Sequence, residues 1–272
     1  MAMKVGQAPD EITLTRPDDW HLHVREGEAM HAVVPHTAHV FGRAIIMPNL
    51  KPPVTTTALA LEYEERILRA IPKGSKFRPL MTLYLTDDTT PDEIVRAKAA
   101  GIIAVKYYPA GATTNSAAGV THLSKTVKVL EKMQELGMPL LLHGEANGPH
   151  DDMFDREKIF VELVGEWLVR NFPELRMVLE HTSTKEGVQW VLDAPAHVGA
   201  TVTPQHMRFD RNTMLAGAIR PHYYCMPILK RREHQEAVLA AAVSCDKIFL
   251  GTDSAPHATH LKQNACGCAG CF

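Results

Sequence analysis

The stretch DWHLHVRE, residues 19–26, places His21 and His23 one residue apart within a short apolar run. Side chains at positions i and i+2 of a β-strand project from the same face. Both imidazole rings are therefore predicted to point to one side of a strand. Imidazole is a preferred ligand of zinc and similar metals, so the pair predicts a metal-binding strand end.

Seven further apolar runs follow this one, at intervals of roughly 30 residues, which is the repeat length of a (β/α)₈ barrel. They are near-continuously apolar, as expected of parallel strands that are buried on both faces. The eight runs are residues 20–24, 43–49, 79–85, 102–108, 139–145, 177–183, 199–206 and 247–254.

Amphipathic segments at 54–70, 121–137 and 155–171 lie between the runs, and the last of them begins with Asp155, a predicted helix N-cap. We therefore predict a single domain over residues 1–272, folded as a (β/α)₈ TIM barrel. A doubly wound open sheet is the alternative. It is disfavoured because the chain has neither a G-x-G-x-x-G motif nor a Walker A motif.

The composition is that of a soluble globular protein, with 272 residues, 45% hydrophobic, 22% charged and a formal net charge of -2. This balance gives no indication of a nucleic acid or an anionic membrane as partner. No run of ~18 apolar residues is present, so no transmembrane helix is expected. The segment 1–11 lacks the apolar core of a signal peptide, which predicts a cytoplasmic protein.

The five cysteines are Cys225, Cys245, Cys266, Cys268 and Cys271. An odd number in an expected cytosolic protein argues against a disulfide framework. The cluster CGCAGC, residues 266–271, has two interpretations. It could be a zinc or iron–sulfur site, although it offers three thiols where a closed structural zinc site has four ligands. The other interpretation is a loop rich in Gly and Cys.

Polar side chains collect at the ends of the predicted strands, where a barrel carries its catalytic groups. They are His21, His23, Arg25, Asn49, Lys106, His143, His181, Asp253 and His257. The four histidines at strand ends, together with Asp253, predict a metal site. The remaining histidines are expected to be ordinary core or surface residues.

Lys106 is unusual because its ammonium group would be buried, and burial lowers a lysine pKa. A neutral amine can add carbon dioxide, and the resulting carbamate has two oxygens that can bridge two metals. The alternative is that Lys106 reaches solvent or pairs with a carboxylate.

Taken together, these motifs resemble those of the dihydroorotase family, of the short, free-standing bacterial type within the amidohydrolase superfamily. The resemblance covers nearly the whole chain from Arg16 onward. The matching stretches are RPDDWHLHVREG (16–27), GRAIIMPNLKPPVTT (42–56), VKYYPAGATTNS (105–116), GMPLLLHGE (137–145), LEHTSTK (179–185), TVTPQHMRFDRN (201–212), RPHYYCMPILKR (220–231) and FLGTDSAPHATHLKQNACGCAGCF (249–272).

The resemblance implies a binuclear site with two Zn²⁺ per subunit. The implied ligands are His21, His23 and Asp253 for the more buried zinc, His143 and His181 for the second, and Lys106, N6-carboxylated, as the bridge. The implied substrate contacts are His23, Arg25, Asn49 and His257, backbone groups near Met226 and Ala269, and the hydroxyls of Thr113 and Thr114 in a mobile loop, 111–116. Asp253 is also the implied catalytic acid–base.

The implied reaction is the reversible, zinc-dependent hydrolysis of (S)-dihydroorotate to N-carbamoyl-L-aspartate in pyrimidine biosynthesis, by a cytoplasmic homodimer. Another cyclic amidase, such as a dihydropyrimidinase or an allantoinase, is the nearest alternative. Arg25 and Asn49 argue against a dihydropyrimidinase, because dihydrouracil has no carboxylate to bind. A catalytically dead binding paralogue is a further alternative, but such proteins usually lose ligands.

Members of the resembled family continue for several dozen residues beyond the position of Phe272. Residues 255–272 are polar and rich in Gly and Cys, so they are not expected to form the eighth outer helix. The sequence therefore predicts that the C-terminal helices are missing, that the outer faces of strands 8 and 1 are uncovered, and that the working protein contains more chain.

Overall fold

The fold, given by a computed structural model that describes residues 11–272, is an eight-stranded parallel barrel with helices outside it. The expectation about a signal peptide falls on residues 1–11, almost all of which lie outside the described residues. The strands are β1 (Asp19–Leu22), β2 (Arg43–Ile46), β3 (Arg78–Tyr84), β4 (Ala104–Tyr107), β5 (Leu140–His143), β6 (Met177–Glu180), β7 (Val198–Val202) and β8 (Ile248–Leu250). Each falls within or beside a predicted apolar run, so the predicted fold class is confirmed.

The strands are ordered β1 to β8, and every neighbouring pair is parallel. The barrel closes between β8 and β1 through the residues that follow β8. Asp253 N donates to the His21 carbonyl (2.9 Å), and His23 N donates to the Ser254 carbonyl (3.0 Å). This closure brings Asp253 beside the two histidines of the opening stretch.

Gly251 permits that approach. A Cβ atom on Gly251 would lie 2.8 Å from the Cβ of His21 and 2.9 Å from the Cβ of Thr201. Carbon atoms cannot pack so closely, so a side chain at this position would push the end of β8 away from its neighbours.

Eleven α-helices are found within residues 11–272. They are α1 (Gly27–Val40), α2 (Thr57–Ala70), α3 (Pro91–Ala99), α4 (Val127–Glu135), α5 (Arg156–Phe160), α6 (Glu166–Asn171), α7 (Lys185–Asp193), α8 (Pro204–Arg208), α9 (Arg211–Leu215), α10 (Arg232–Ala242) and α11 (Thr259–Lys262). A π-helical turn, Val161–Gly165, joins α5 to α6, and 3₁₀ turns span Leu123–Thr126 and Pro221–Tyr223.

The helical predictions were right in position and less accurate in detail. Asp155 stands at the N-cap of α5, but its side chain makes no capping hydrogen bond. In α2, the buried residues are Ala60, Tyr63, Ile67 and Ala70, and this face packs against β3, whereas Leu61 and Leu68 are exposed. No helix in the described part of the chain is long and apolar enough to cross a membrane.

The segment after β8 forms one helix of four residues, α11, as expected of its composition. An open groove of about 690 Å³ runs along this side of the barrel, with Leu22, Val24 and Phe41 among its apolar lining. Leu22 and Val24 are themselves buried, so the outer face of β1 is less exposed than predicted. Phe249 and Leu250 of β8 are half-buried.

Candidate active site

Four histidine rings and one carboxylate converge at the carboxyl end of the barrel. His21 Nε2 lies 3.2 Å from His23 Nε2, and Asp253 Oδ1 lies 3.3 Å and 3.2 Å from these two nitrogens. A second pair stands close by, with His143 Nδ1 3.1 Å from His181 Nε2. All five side chains are buried. The predicted metal-ligating residues are therefore brought together.

The positions of these side chains depend on the backbone just after the strands end. Three site residues adopt left-handed backbone conformations, Arg25 (φ 58°), His181 (φ 43°) and Asp253 (φ 48°). Such conformations are costly for residues other than glycine, and they cluster at functional sites. In a regular strand Glu180 and His181 would face opposite sides. The positive φ at His181 lets both side chains face the barrel interior.

Lys106 is fully buried, as predicted, and in this structure it forms an ion pair with Glu180, which is also buried. The alternative of pairing with a carboxylate is thus what the structure shows, and the alternative of reaching solvent is wrong. The Lys106 ammonium also lies 5.0 Å from the centre of the Tyr108 ring. Burial lowers the pKa of Lys106, with Glu180 acting in the opposite direction.

Two carboxylates that the sequence interpretation missed hold the far nitrogens of two of the histidines. Glu180 Oε1 lies 3.0 Å from His21 Nδ1, and Glu145 Oε2 lies 2.9 Å from His143 Nε2. A carboxylate on the outer nitrogen fixes which ring nitrogen can bind a metal. For Glu145 the signal was present, since it follows His143 at i+2, whereas Glu180 directly precedes His181 and strand alternation would place it on the other face.

The donor set fits zinc. The nitrogens that face each other across 3.2 Å and 3.1 Å cannot both carry a hydrogen in that contact, so at least one in each pair presents a lone pair inward. Burial lowers the pKa of His23 to about 4 and that of His181 well below its usual value, so both rings are neutral at neutral pH. Neutral imidazoles with a carboxylate are the ligands that zinc takes in catalytic sites.

The pKa values of Asp253 and His21 are shifted in opposite directions. Burial alone would raise the pKa of Asp253, but His21 and the hydrogen bonds from both neighbouring histidines lower it well below its usual value. Burial alone would lower the pKa of His21, but Glu180 and Asp253 raise it to about 9. A bound cation would take over the role of the imidazolium proton here.

A small cavity of about 30 Å³ opens directly above the histidines. It is lined by nearly every residue predicted to contact substrate. The lining residues are His21, His23, Arg25, Asn49, Tyr108, Thr113, Thr114, His143, His181, Met226, Asp253, Ala255, Ala269 and Gly270. His257 stands behind Arg25 rather than in the lining. The placement of the predicted contacts is as expected, while their roles remain predictions.

The cationic side of this cavity is built around Arg25. Its Nε donates to the Pro256 carbonyl (3.0 Å), and its Nη2 lies 3.2 Å from His257 Nε2. His257 Nε2 is also 2.9 Å from the Ala269 carbonyl. Because Nε is already engaged, the two terminal nitrogens are the part of the guanidinium that can face a ligand.

The loop 111–116 borders the cavity and is tied to Asn49, which follows β2. Asn49 Nδ2 donates to the Thr114 carbonyl (3.1 Å), and Asn115 Nδ2 donates to the Asn49 carbonyl (3.0 Å). Ala112 and Ser116 are buried. The loop is therefore anchored in this structure, and Thr113 and Thr114 line the cavity; its mobility stays a prediction.

The cysteine cluster does not form a second metal site within residues 11–272. The one group of three or more His, Cys, Asp or Glu side chains arranged there to share an ion is His21, His23 and Asp253. All five cysteines are free thiols. The segment 266–271 is thus a loop rich in Gly and Cys.

Comparison with known proteins identifies the family of this chain. The sequence profile of the amidohydrolase family matches residues 18–271. A dihydroorotase of Delftia acidovorans is 62% identical over 262 residues, which cover 96% of this chain and 76% of the relative. The chain belongs to the dihydroorotase family. It is accordingly an amidohydrolase, a hydrolase of cyclic amides.

Solved structures separate this family from other amidohydrolases. The structure of dihydroorotase from Saccharomyces cerevisiae in complex with 5-fluoroorotic acid shares 35% identity with a TM-score of 0.85, covering 93% of this chain and 73% of that one. The L-hydantoinase (dihydropyrimidinase) of Arthrobacter aurescens has a TM-score of 0.75 but only 17% identity, covering 91% and 59%. The hydantoinase therefore shares the fold alone, which disfavours the dihydropyrimidinase alternative.

Proposed function

We propose that this protein catalyses the reversible hydrolysis of (S)-dihydroorotate to N-carbamoyl-L-aspartate, a step of pyrimidine biosynthesis. The observation that carries the proposal is the juxtaposition of two sites in one small cavity. Arg25 and Asn49 line the same cavity as His21, His23 and Asp253. A cationic clamp beside a metal-ligand cluster suits a cyclic amide that bears a ring carboxylate.

The residues that would hold two zinc ions are those of the buried cluster. His21, His23 and Asp253 would bind one ion, and His143 with His181 would bind the other. Lys106, as its carbamate, would bridge them. Bound zinc would supply Lewis acidity, which lowers the pKa of a water and polarises the amide carbonyl.

Asp253 is placed to move the proton of this reaction. It is the one carboxylate that both lines the cavity and contacts two predicted metal ligands. Its pKa, held well below the usual value, keeps it ionised at neutral pH, so it can accept a proton from the attacking water. The same carboxyl can then donate that proton to the amide nitrogen as the ring opens.

Arg25 would hold the ring carboxylate through its two terminal nitrogens, with Asn49 and His257 beside it. A planar guanidinium binds a carboxylate through parallel hydrogen bonds. Thr113 and Thr114 would donate from the covering loop, and backbone groups near Met226 and Ala269 would complete the contact. The loop also excludes water from the cavity, which strengthens each of these polar interactions. The yeast relative binds 5-fluoroorotic acid, which likewise carries a ring carboxylate.

We further propose that the 272 residues form one domain and that the enzyme is a cytoplasmic homodimer with no nucleic acid or membrane partner. These proposals rest on the family resemblance and on the near-neutral charge balance. Light scattering on the purified protein would test the dimer, and a monomer at micromolar concentration would contradict it.

Zinc content and substrate preference test the function together. Purified protein should carry about two zinc ions per chain, the number used by binuclear hydrolases. It should hydrolyse dihydroorotate and leave dihydrouracil essentially unchanged in a spectrophotometric assay. Faster turnover of dihydrouracil would favour a dihydropyrimidinase, and fully zinc-loaded protein with no activity on either compound would favour a binding paralogue.

A further inference from the structure

Two thiols from distant parts of the sequence meet beside the substrate cavity. Cys225 is fully buried in a small apolar cluster with Met214, Ile228 and Leu229, and Cys271 packs against that cluster. The nearness of the two thiols raises the pKa of Cys225 and lowers the pKa of Cys271. The two side chains therefore belong to one cluster.

Backbone hydrogen bonds hold the two segments in this arrangement. Gly270 N donates to the Tyr224 carbonyl (3.0 Å), which pairs the residues that precede the two cysteines. Ala255 N donates to the Cys271 carbonyl (2.7 Å), which ties the same segment to the end of β8. The contact between the thiols is thus fixed by its surroundings.

The two thiols differ in how a reagent can reach them. Cys271 is half-buried and lines the open groove of about 690 Å³ on the outside of the barrel. Cys225 has no exposed surface. A thiol of lowered pKa that a reagent can reach is the more reactive nucleophile, and a buried one is inert until a partner sulfur is presented to it.

We propose that Cys225 and Cys271 form an oxidation site, at which a small-molecule disulfide such as glutathione disulfide converts the two thiols into one reversible disulfide. The Cys271 thiolate attacks the reagent and forms a mixed disulfide, releasing one glutathione thiolate. The Cys225 sulfur then attacks the Cys271 sulfur and releases the second. Two protein thiols are oxidised, one glutathione disulfide is reduced to two thiols, and the protons of the cysteines end on glutathione.

Oxidation at this site would act on the substrate cavity. Met226 follows Cys225, Gly270 precedes Cys271, and both residues line that cavity. A covalent bond brings two sulfurs closer together than any non-bonded contact does, so the two lining segments must shift. This consequence rests on the proposed function, whereas formation of the bond does not.

Mass spectrometry of the intact, folded enzyme tests the bond itself. The protein is equilibrated with glutathione disulfide, quenched in acid, alkylated and digested with trypsin. The expected product is a cross-link between the peptide 212–230, which contains only Cys225, and the peptide 263–272. Because the second peptide contains three cysteines, single variants assign the partner. Cys271→Ser should abolish the cross-link, and the matched controls Cys266→Ser and Cys268→Ser should retain it.

A second variant tests the order of the two thiol–disulfide exchange steps. Cys225→Ser should accumulate glutathione on the peptide 263–272, because the thiol that resolves the mixed disulfide is gone. A cross-link that persists in Cys271→Ser would overturn the proposal. So would wild-type protein that forms no cross-link with glutathione disulfide in large excess.

Activity then reports the consequence for the cavity. Oxidised wild-type enzyme should lose kcat/KM for dihydroorotate on the order of tenfold, since small displacements in an active site cost this much or more. Dithiothreitol should restore it, and zinc content should not change. Cys271→Ser should be insensitive to the reagent. A fully formed disulfide with unchanged kcat/KM would overturn the coupling to the cavity while leaving the proposed function intact.

Discussion

Carboxylation of Lys106 would place two negative charges next to each other, on Lys106 and Glu180, and bound cations would be needed to balance them. Both side chains are buried, and they form an ion pair. If Lys106 becomes a carbamate, its ion pair with Glu180 is replaced by two neighbouring anions, the carbamate and the Glu180 carboxylate. Bound zinc would compensate both, so we expect carboxylation and metal binding to occur together.

Lys106→Ala should therefore lose bound zinc and nearly all activity. Short carboxylic acids should restore part of both, because they can replace the bridging anion. The variant also removes one of the two partners of the buried Glu180 and leaves His21 as the other, so it should lower the free energy of unfolding. Circular dichroism must therefore show that it is folded.

Wild-type protein incubated with ¹³C-labelled carbon dioxide should show a carbamate carbon by NMR. A fully metallated and fully active Lys106→Ala protein would contradict this prediction.

Arg25 is predicted to act on substrate and not on metal. Arg25→Ala should lower kcat/KM for dihydroorotate by roughly 10- to 150-fold, corresponding to about 1.5–3 kcal/mol for a charge-assisted hydrogen bond. Zinc content should be unchanged. Arg25→Lys is the matched control, since it keeps the positive charge but not the planar pair of terminal nitrogens. It should restore only part of the kcat/KM that Arg25→Ala loses. A kcat/KM within twofold of wild type in Arg25→Ala would show that Arg25 is not the clamp.

His206 gives the protein a pH dependence that is separate from the metal site. It is buried between Thr203 and the Pro227 carbonyl, and burial lowers its pKa to about 4. In the unfolded chain this histidine binds a proton near pH 6.5, whereas in the folded protein it does so only near pH 4. Lowering the pH through this range therefore favours the unfolded state. His206 therefore contributes stability that is present above pH 6.5 and is lost as the pH falls toward 4, by about 3 kcal/mol in total.

Denaturant unfolding of metal-free protein at a series of pH values measures this loss. His206→Gln should show a shallower fall in the free energy of unfolding between pH 6.5 and 4 than wild type. Because the slopes of the free energy of unfolding against pH are compared, a loss of stability that the substitution causes equally at every pH does not affect the result. Parallel slopes for the two proteins would rule out His206 as the titrating group.

At the scale of elements, the loop 111–116 is tied to Asn49, which follows β2, and to Tyr84 at the end of β3. Asn49 makes two hydrogen bonds with the loop, one from its amide and one to its carbonyl. Asn49→Ala removes the first and should speed amide hydrogen exchange in residues 111–116 of the empty enzyme. Asn115→Ala removes the second and serves as a matched variant, because Asn115 is not in the cavity lining.

Bound ligand should slow exchange in the same loop of the wild-type enzyme, since loop closure over substrate excludes water. N-carbamoyl-aspartate or a product analogue can serve as the ligand. Unchanged exchange rates in Asn49→Ala would show that the tether carries no stability. Equal rates with and without ligand would count against closure.

The elements also show what the sequence could and could not predict. The rhythm of apolar runs predicts all eight strands, because strands buried on both faces must be apolar throughout. The i, i+2 spacing of His21 and His23 predicts their shared face. Glu180 was missed because strand alternation places it opposite His181, and the left-handed backbone that reverses this cannot be read from a histidine. The contact between Cys225 and Cys271 depends on loop geometry, for which local sequence gives no signal.

At the scale of the whole molecule, the predicted metal ligands tie the barrel together. They come from β1, β4, β5, β6 and the residues after β8, so they are close to one another only when the barrel is folded. A metal that binds only the folded state stabilises it through mass action. At free zinc about 100 times the dissociation constant, the gain is about 2.7 kcal/mol.

Removal of zinc should therefore lower the Tm by about 5–10 °C, since 1 kcal/mol corresponds to roughly 2–4 °C in a domain of this size. The measurement compares calorimetric scans of the enzyme before and after chelation, with zinc content checked in each sample, and readdition of zinc should restore the Tm. His21→Ala is the control variant, because it removes one ligand of the ion proposed to bind His21, His23 and Asp253, so its Tm should fall less on chelation than that of wild type. A chelated, zinc-free enzyme with the Tm of the untreated protein would mean that the cluster of His21, His23 and Asp253 does not link zinc to folding.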